Sequence, residues 1–218
     1  AAGIGDYHAG AAADANSAAT VFYNAAAAAR IKHQQISAGV AFVNLNLKFN
    51  GNAYDAGIPL PINNAQGGTF NVVPNFSYVL PFADRWAFAF SETTPFGLAT
   101  KYDNVNYVNW LATTTDLKTV NLNPSIAYKL NHILSLGVGF DAMYGTAVYN
   151  SDVMYPLKDD LSGWGYGYNA GILAQVTQRT RIGLSYRSPV TIDAVGPSKS
   201  VYNGVPVDRT AQANFALP

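Results

Sequence analysis

Long stretches of this chain alternate strictly between apolar and polar residues, and this period of two limits the fold more than any other property. Val120, Leu122, Pro124, Ile126, Tyr128 and Leu130 alternate with Asn121, Asn123, Ser125, Ala127 and Lys129. Leu134, Leu136, Val138, Phe140, Ala142 and Tyr144 alternate with Ser135, Gly137, Gly139, Asp141, Met143 and Gly145. Trp164, Tyr166, Tyr168, Ala170, Ile172, Ala174 and Val176 alternate with Gly165, Gly167, Asn169, Gly171, Leu173 and Gln175. Neighbouring side chains of a strand point to opposite faces, so each stretch is a strand with one apolar face and one small or polar face. Strands of soluble sheets usually run to about five or six residues. A tilted strand that crosses a bilayer needs roughly 9–11. Aliphatic and aromatic residues outside, small and polar ones inside, predict an all-β, antiparallel transmembrane barrel of the outer-membrane type.

The composition fits a lipid-facing surface. Charged residues make up 12% of the 218 positions, against about 25% in an average soluble protein. Aromatic residues reach 13%, enough for interfacial girdles. Lys plus Arg and Asp plus Glu balance at 13 each, which gives no electrostatic footprint for nucleic acid. The absence of cysteine excludes disulfides and thiolate metal sites. No apolar run approaches about 18 residues, so no transmembrane helix is expected. The chain starts at Ala1 with neither Met nor a signal peptide, as a processed or trimmed chain would.

Residues 1–35 differ from the rest. They lack the alternation, are rich in Ala and Gly, and carry the run Ala25–Ala29, a short helix by propensity. They read either as a loose terminus or as a plug inside the barrel. Residues 36–218 form the barrel part, with strands expected at 36–48, 70–81, 85–97, 115–130, 133–149, 163–176, 180–194 and an incomplete one from 210. Long connections (49–69, 98–114, 195–209) and an intermediate one (150–162) alternate with short ones at 82–84, 131–132 and 177–179. Long loops on one side and tight turns on the other is the plan of outer-membrane barrels. Strand parity places Glu92 outward with Trp86, Phe88 and Phe90, which is unfavourable in hydrocarbon. Pro95 and Gly97 follow at once, so a break is expected there, with Gly97 free to adopt a positive φ and a lateral gap in the wall. The last strand is only under way at Pro218, as in a piece of a larger barrel, because edges cannot stay open in lipid.

Several runs in order resemble the FadL/TodX-type outer-membrane transporters of long-chain fatty acids and other hydrophobic compounds. They are Thr94–Tyr102, Thr115–Leu117 with Asn121–Asn123, Ala127–Asn131, Leu136–Tyr144, Gly163–Gly171 and Leu184–Ser188. Gly10–Ala15 and Val21–Asn24 are similar to the family's small plug, the hatch. The resemblance implies a barrel of about fourteen strands, of which this chain supplies the hatch and the first seven to eight. It implies a kinked third strand at Phe96-Gly97 through which ligand leaves sideways, and a ligand pocket around Ala147, Tyr149 and Leu161. The family hatch reads Asn-Pro-Ala; here Asn24 is followed by Ala25-Ala26. Ser151 stands where a basic residue would meet a ligand carboxylate, which leaves room for a less polar substrate.

No enzyme is expected. His8, His33 and His132 lie at no metal-binding spacing, and no serine sits in a nucleophile elbow. No metal or cofactor is called for. Arg181, Arg187 and Asp193 share the inward parity of the seventh strand, as lumen charges or as an anchor for an anionic head group. The expected function is passive uptake of a fatty acid or aromatic hydrocarbon by a monomer whose partners are this ligand and outer-membrane lipid of a Gram-negative bacterium. The alternative is a small eight-stranded structural or adhesive barrel without transport, its interior filled by side chains.

Overall fold

The computed structural model describes residues 10–55, 57–102, 108, 113–152 and 156–217. Ten strands form one antiparallel sheet, and β2 (Lys48–Asp55) and β3 (Ile58–Gln66) form a separate hairpin in the first long connection. The wall runs in the order β1 (Gln35–Asn44), β4 (Phe70–Pro81), β5 (Trp86–Thr93), β7 (Thr114–Lys129), β8 (Leu134–Ser151), β9 (Leu157–Gln175), β11 (Val190–Tyr202) and β12 (Val205–Leu217). Two strands lie off this path. β6 (Gly97–Lys101) continues the third wall strand beyond β5 and pairs with β7; β10 (Arg181–Arg187) precedes β11 in the seventh and pairs with β9.

The alternation seen in the sequence decides which way β7, β8 and β9 face. Asn121, Asn123, Ser125 and Ala127 are buried inward, while Val120 and Ile126 are exposed. Phe140, Tyr166 and Tyr168 are exposed against buried Asp141 and Asn169. Such a broad apolar outer face suits lipid rather than water. It also has a height. On β7 the outward ion pair Lys118–Asp116, 2.6 Å apart, lies ten residues from outward Tyr128. At about 3.3 Å per residue and about 40° of tilt, that is about 25 Å, the thickness of the apolar band of such barrels. Tyr128 packs against Trp86, their ring centroids 4.6 Å apart and tilted by 44°, near the short turns, as in an aromatic girdle.

Some expectations need correction. The stretch 195–209 is not a long loop: β11 and β12 continue through it to a two-residue Asn203-Gly204 turn with φ of 49° and 78°. A positive φ at both positions is what Asn-Gly hairpin turns require. The stretch 49–69 is likewise largely strand. The seventh strand is broken rather than continuous. Arg187 pairs with Asn169 and Val195 with Ser162, so seven residues face six. That one-residue excess is a bulge, and it reverses which side chains face inward. Asp193 is therefore exposed on the face opposite Ile192 and does not join Arg181 and Arg187.

The N-terminal segment packs on the inner wall where inward glycines let its backbone come close. A Cβ on Gly137 would fall on the Ala25–Ala26 backbone, on Gly171 it would meet Asn24, and on Gly183 it would meet Ala12–Ala13. Asn24 caps the 3₁₀ helix Ala25–Arg30, accepting from Ala26 N at 3.0 Å and donating to Ala12 O (2.7 Å) and Ile172 O (3.1 Å). Ala25 starts this helix without the proline of the family pattern, its side chain buried at the wall. At the helix end, Arg30 donates to His132 O (2.7 Å) and Ile133 O in the β7–β8 turn. Burial, with Arg181 close by, lowers the Arg30 pKa from its ordinary value. His33 and the His132 side chain belong to no metal-binding group among the described residues, and His8 lies outside them.

β1 and β12 are the two ends of the sheet and do not pair with each other. Their open edges count against a closed eight-stranded barrel, and each unpaired backbone group in lipid is unfavourable by several kcal/mol. Residues 1–218 expressed alone are expected to aggregate. A heat-modifiable, detergent-stable monomer on a gel would contradict this.

Candidate functional site

The third wall strand contains a window. Thr93 pairs with Asn121 and Gly97 with Lys118, so three residues, Thr94-Pro95-Phe96, face two, Thr119 and Val120. This second one-residue bulge again reverses parity. Pro95 brings no N–H to a ladder. Thr119 clamps the bulge: its N donates to Phe96 O (3.0 Å), its Oγ1 accepts from Phe96 N (3.1 Å), and Oγ1 also lies 3.1 Å from Phe96 O.

On the other side the third strand parts from β4. Their pairing ends at Phe76 opposite Glu92. Among the described residues, hydrogen bonding resumes where Thr69 Oγ1 donates to Ala99 O (2.9 Å) and Lys101 N to Gly67 O (3.1 Å). Between these limits lies a cavity of about 590 Å³, lined by Phe70, Val72 and Pro74 on β4 and by Gly97, Leu98 and Val120 across from them. Parity holds through Glu92, which is half-buried at the lower sill, and the break follows it. Gly97 does not have the positive φ expected of it; its contribution is room, since a Cβ there would meet nothing within 4 Å.

Phe96, turned inward by the bulge, packs with Ala147 against a buried apolar cluster of Met143, Leu161, Val190, Ile192, Ala194 and Leu217. Three of the five candidate ligand residues thus meet in one cluster, and Gly97 opens on the window beside it. Tyr149 is two residues beyond Ala147 on β8, opposite Asp159, and half exposed. Ser151 is buried at the end of β8. The alternation could not show that Val190, Ile192 and Leu217 belong here.

Below this cluster the lumen becomes polar. Asp141, 1% exposed, accepts from Asn121 Nδ2 (2.7 Å), Asn123 Nδ2 (3.1 Å), Asn169 Nδ2 (2.8 Å) and Arg187. Asn123 Nδ2 also donates to Phe140 O (2.9 Å), which lies opposite Pro124 and can receive no N–H from it. Arg187 continues downward, donating to Phe22 O (2.7 Å) and standing 4.3 Å over the Phe22 ring. The N-terminal segment forms the next layer. Replacing Arg187 by Met should lower stability by about 3 kcal/mol or more, because it leaves the Asp141 carboxylate buried without its cation. The temperature at which the full-length protein loses its compact gel mobility measures this.

Residues 1–215 match the profile of the family described as outer membrane protein transport protein (OMPP1/FadL/TodX). The chain is 30% identical over 251 residues to the long-chain fatty acid transport protein of Escherichia coli, covering 99% of this chain and 54% of that protein. It is also 30% identical over 238 residues to outer membrane protein P1 of Haemophilus influenzae, covering 88% and 52%. It therefore spans about half the length of these relatives. Among solved structures, a Pseudomonas aeruginosa FadL homologue superposes with a TM-score of 0.81 at 20% identity, over 94% of this chain and 60% of that one. The Ralstonia pickettii toluene transporter TbuX superposes at 0.71 and 17%, over 90% and 59%. Long, outward-apolar antiparallel strands, an inner segment seated on wall glycines and a profile match over nearly the whole chain lead to one statement: this chain belongs to the OMPP1/FadL/TodX family of outer-membrane transport proteins.

Proposed function

We propose that the full-length protein is a passive channel for hydrophobic small molecules, long-chain fatty acids or aromatic hydrocarbons, and that it releases them sideways into the bilayer through the third-strand window. It works as a monomer in outer-membrane lipid, with residues 1–35 as its hatch. It carries out no catalysis and takes no cofactor. The observation that carries this reading is the window itself, an apolar gap in the wall beside an apolar lumen cluster.

Two routes compete for a solute at that cluster. Downward, it would have to separate the Asp141 network and the seated N-terminal segment, and each buried polar group left unpaired costs about 1–3 kcal/mol. Sideways, it passes Phe96 and Gly97 from one apolar surrounding into another and leaves no polar group unpaired, and over the whole path from water to hydrocarbon burial gains about 25 cal/mol per Å² of apolar surface. The sideways route wins and runs downhill, so no energy source is required. Relatives named for fatty acid transport support the ligand class, as does the toluene transporter whose fold is shared. Ser151, where a cation would hold a carboxylate, leaves uncharged aromatic solutes within range.

The test is uptake of radiolabelled oleate and of toluene by Gram-negative cells that lack such transporters, with and without the full-length gene. Uptake of at least one should rise severalfold. Equal uptake of both, at verified surface expression, would overturn the reading.

A further inference from the structure

The second break in the wall does as much for the apolar cluster as the first. In an unbroken seventh strand Val190 and Ile192 would keep the outward parity of Leu184 and Tyr186. The bulge at Ser188–Ala194 turns them inward, as the bulge at Thr94–Phe96 turns Phe96 inward. The two register shifts meet in one cluster, where Ile192 is 0% exposed. β11 reaches it by lying over the inner face of β9 on a shelf of glycines. A Cβ on Gly163 would fall on the Asp193 carbonyl and the Ala194 Cα; one on Gly165 would come within 2.7 Å of Val190 and 2.9 Å of Ile192; one on Gly167 within 2.8 Å of Val190. Opposite, a Cβ on Gly145 would lie 2.9 Å from Ile192 Cδ1. The glycine face of β9 is therefore not bare lumen lining; it is the seat of the seventh strand.

We propose that this seated segment is the inner wall of the solute pocket, and that Ile192, with Val190 beside it, sets the largest solute that reaches the window. This inference rests on the transport reading above. The cluster is closed and apolar, so a solute must fit against these side chains or push them aside. Shortening Ile192 empties space in the cluster against which Phe96 packs. Lifting the segment off its glycine seat fills that space. Size selection is then separable from capture and from release.

The experiment compares uptake of naphthalene, with two fused rings, to uptake of toluene, with one, in cells carrying the full-length protein. Ile192→Ala, which removes three carbons, should raise the naphthalene-to-toluene ratio about tenfold or more, since a pocket distinguishes even one methylene by about tenfold. Ile192→Leu, nearly equal in volume, should leave the ratio near wild type. Gly165→Ala, whose methyl meets the Thr191 carbonyl and the Val190 and Ile192 side chains, should lower it. If Ile192→Ala fails to reach the surface, Ile192→Val gives the same direction with a smaller rise. An unchanged ratio in surface-expressed Ile192→Ala, or in Ile192→Val where it takes that variant's place, while wild type transports toluene, overturns this inference alone. If wild type transports neither solute nor oleate, the transport reading falls and takes this one with it.

Discussion

Full-length protein carrying Gly97→Leu should take up hydrophobic solutes about tenfold more slowly than wild type, which corresponds to about 1.4 kcal/mol on the barrier. Gly97 pairs with outward Lys118 and lines the window cavity, so a branched side chain there projects into the gap. The strand should fold unchanged, because a Cβ at this position meets nothing within 4 Å and the backbone is not in the left-handed region. Gly97→Ala should then stay near wild type, which separates obstruction from loss of a glycine. The measurement is initial uptake of toluene and oleate at matched surface expression. Wild-type rates in Gly97→Leu would show that solutes leave by another route.

The second large effect concerns the seat of the N-terminal segment. At Gly137 a side chain would collide with the Ala25–Ala26 backbone, and backbone cannot rotate out of the way as a side chain can. At Gly171 it would strike Asn24, which caps the following helix and bonds Ala12 O and Ile172 O. Gly137→Val and Gly171→Val should displace the segment while the wall, whose outer face is untouched, still forms. The lumen then admits hydrophilic molecules. Cells with either variant of the full-length protein should become sensitive to a large hydrophilic antibiotic that wild-type cells exclude. Gly39→Ala, whose methyl would meet only the flexible Asn75 side chain of β4, is the control and should not. Unchanged resistance in both valine variants would mean that the inner segment does not block the lumen.

Much of the wall could be read from sequence because β7, β8 and β9 meet lipid on one face and lumen on the other along nearly their whole length. A uniform environment on each face writes itself into residues such as Ile126 and Asn123. The alternation loses its meaning where a strand leaves that environment. Val190, Ile192 and Ala194 are as apolar as any lipid-facing set, yet a single extra residue turns them inward, and parity cannot count residues in the partner strand. The Asn203-Gly204 turn did have a local signal, its Asn-Gly pair, but the flanking strands carry polar residues such as Lys199 and Asp208 and so read as loop. The third-strand break was visible in advance because Glu92 and Pro95 conflict with a continuous lipid-facing strand. The direction of Phe96 was not visible, since it depends on the register against Thr119. The lateral gap was expected there, but its other side, Phe70 to Pro74, could not be seen, because it is remote in sequence. Ala147 and Leu161 entered through family resemblance alone; nothing in their neighbours' spacing marks them.

The route of the solute is the central point, and a solute can be made to record it. A fatty acid bearing a diazirine on its chain can be presented to cells carrying the full-length protein, irradiated during uptake, and its adducts mapped by mass spectrometry of the purified protein. Lateral release predicts adducts on Phe96 and on the window lining, Phe70, Val72, Leu98 and Val120, with none at the short-turn end. Adducts concentrated instead on Arg30, Lys129 and Gln175, at the short-turn end below the Asp141 layer, would contradict it.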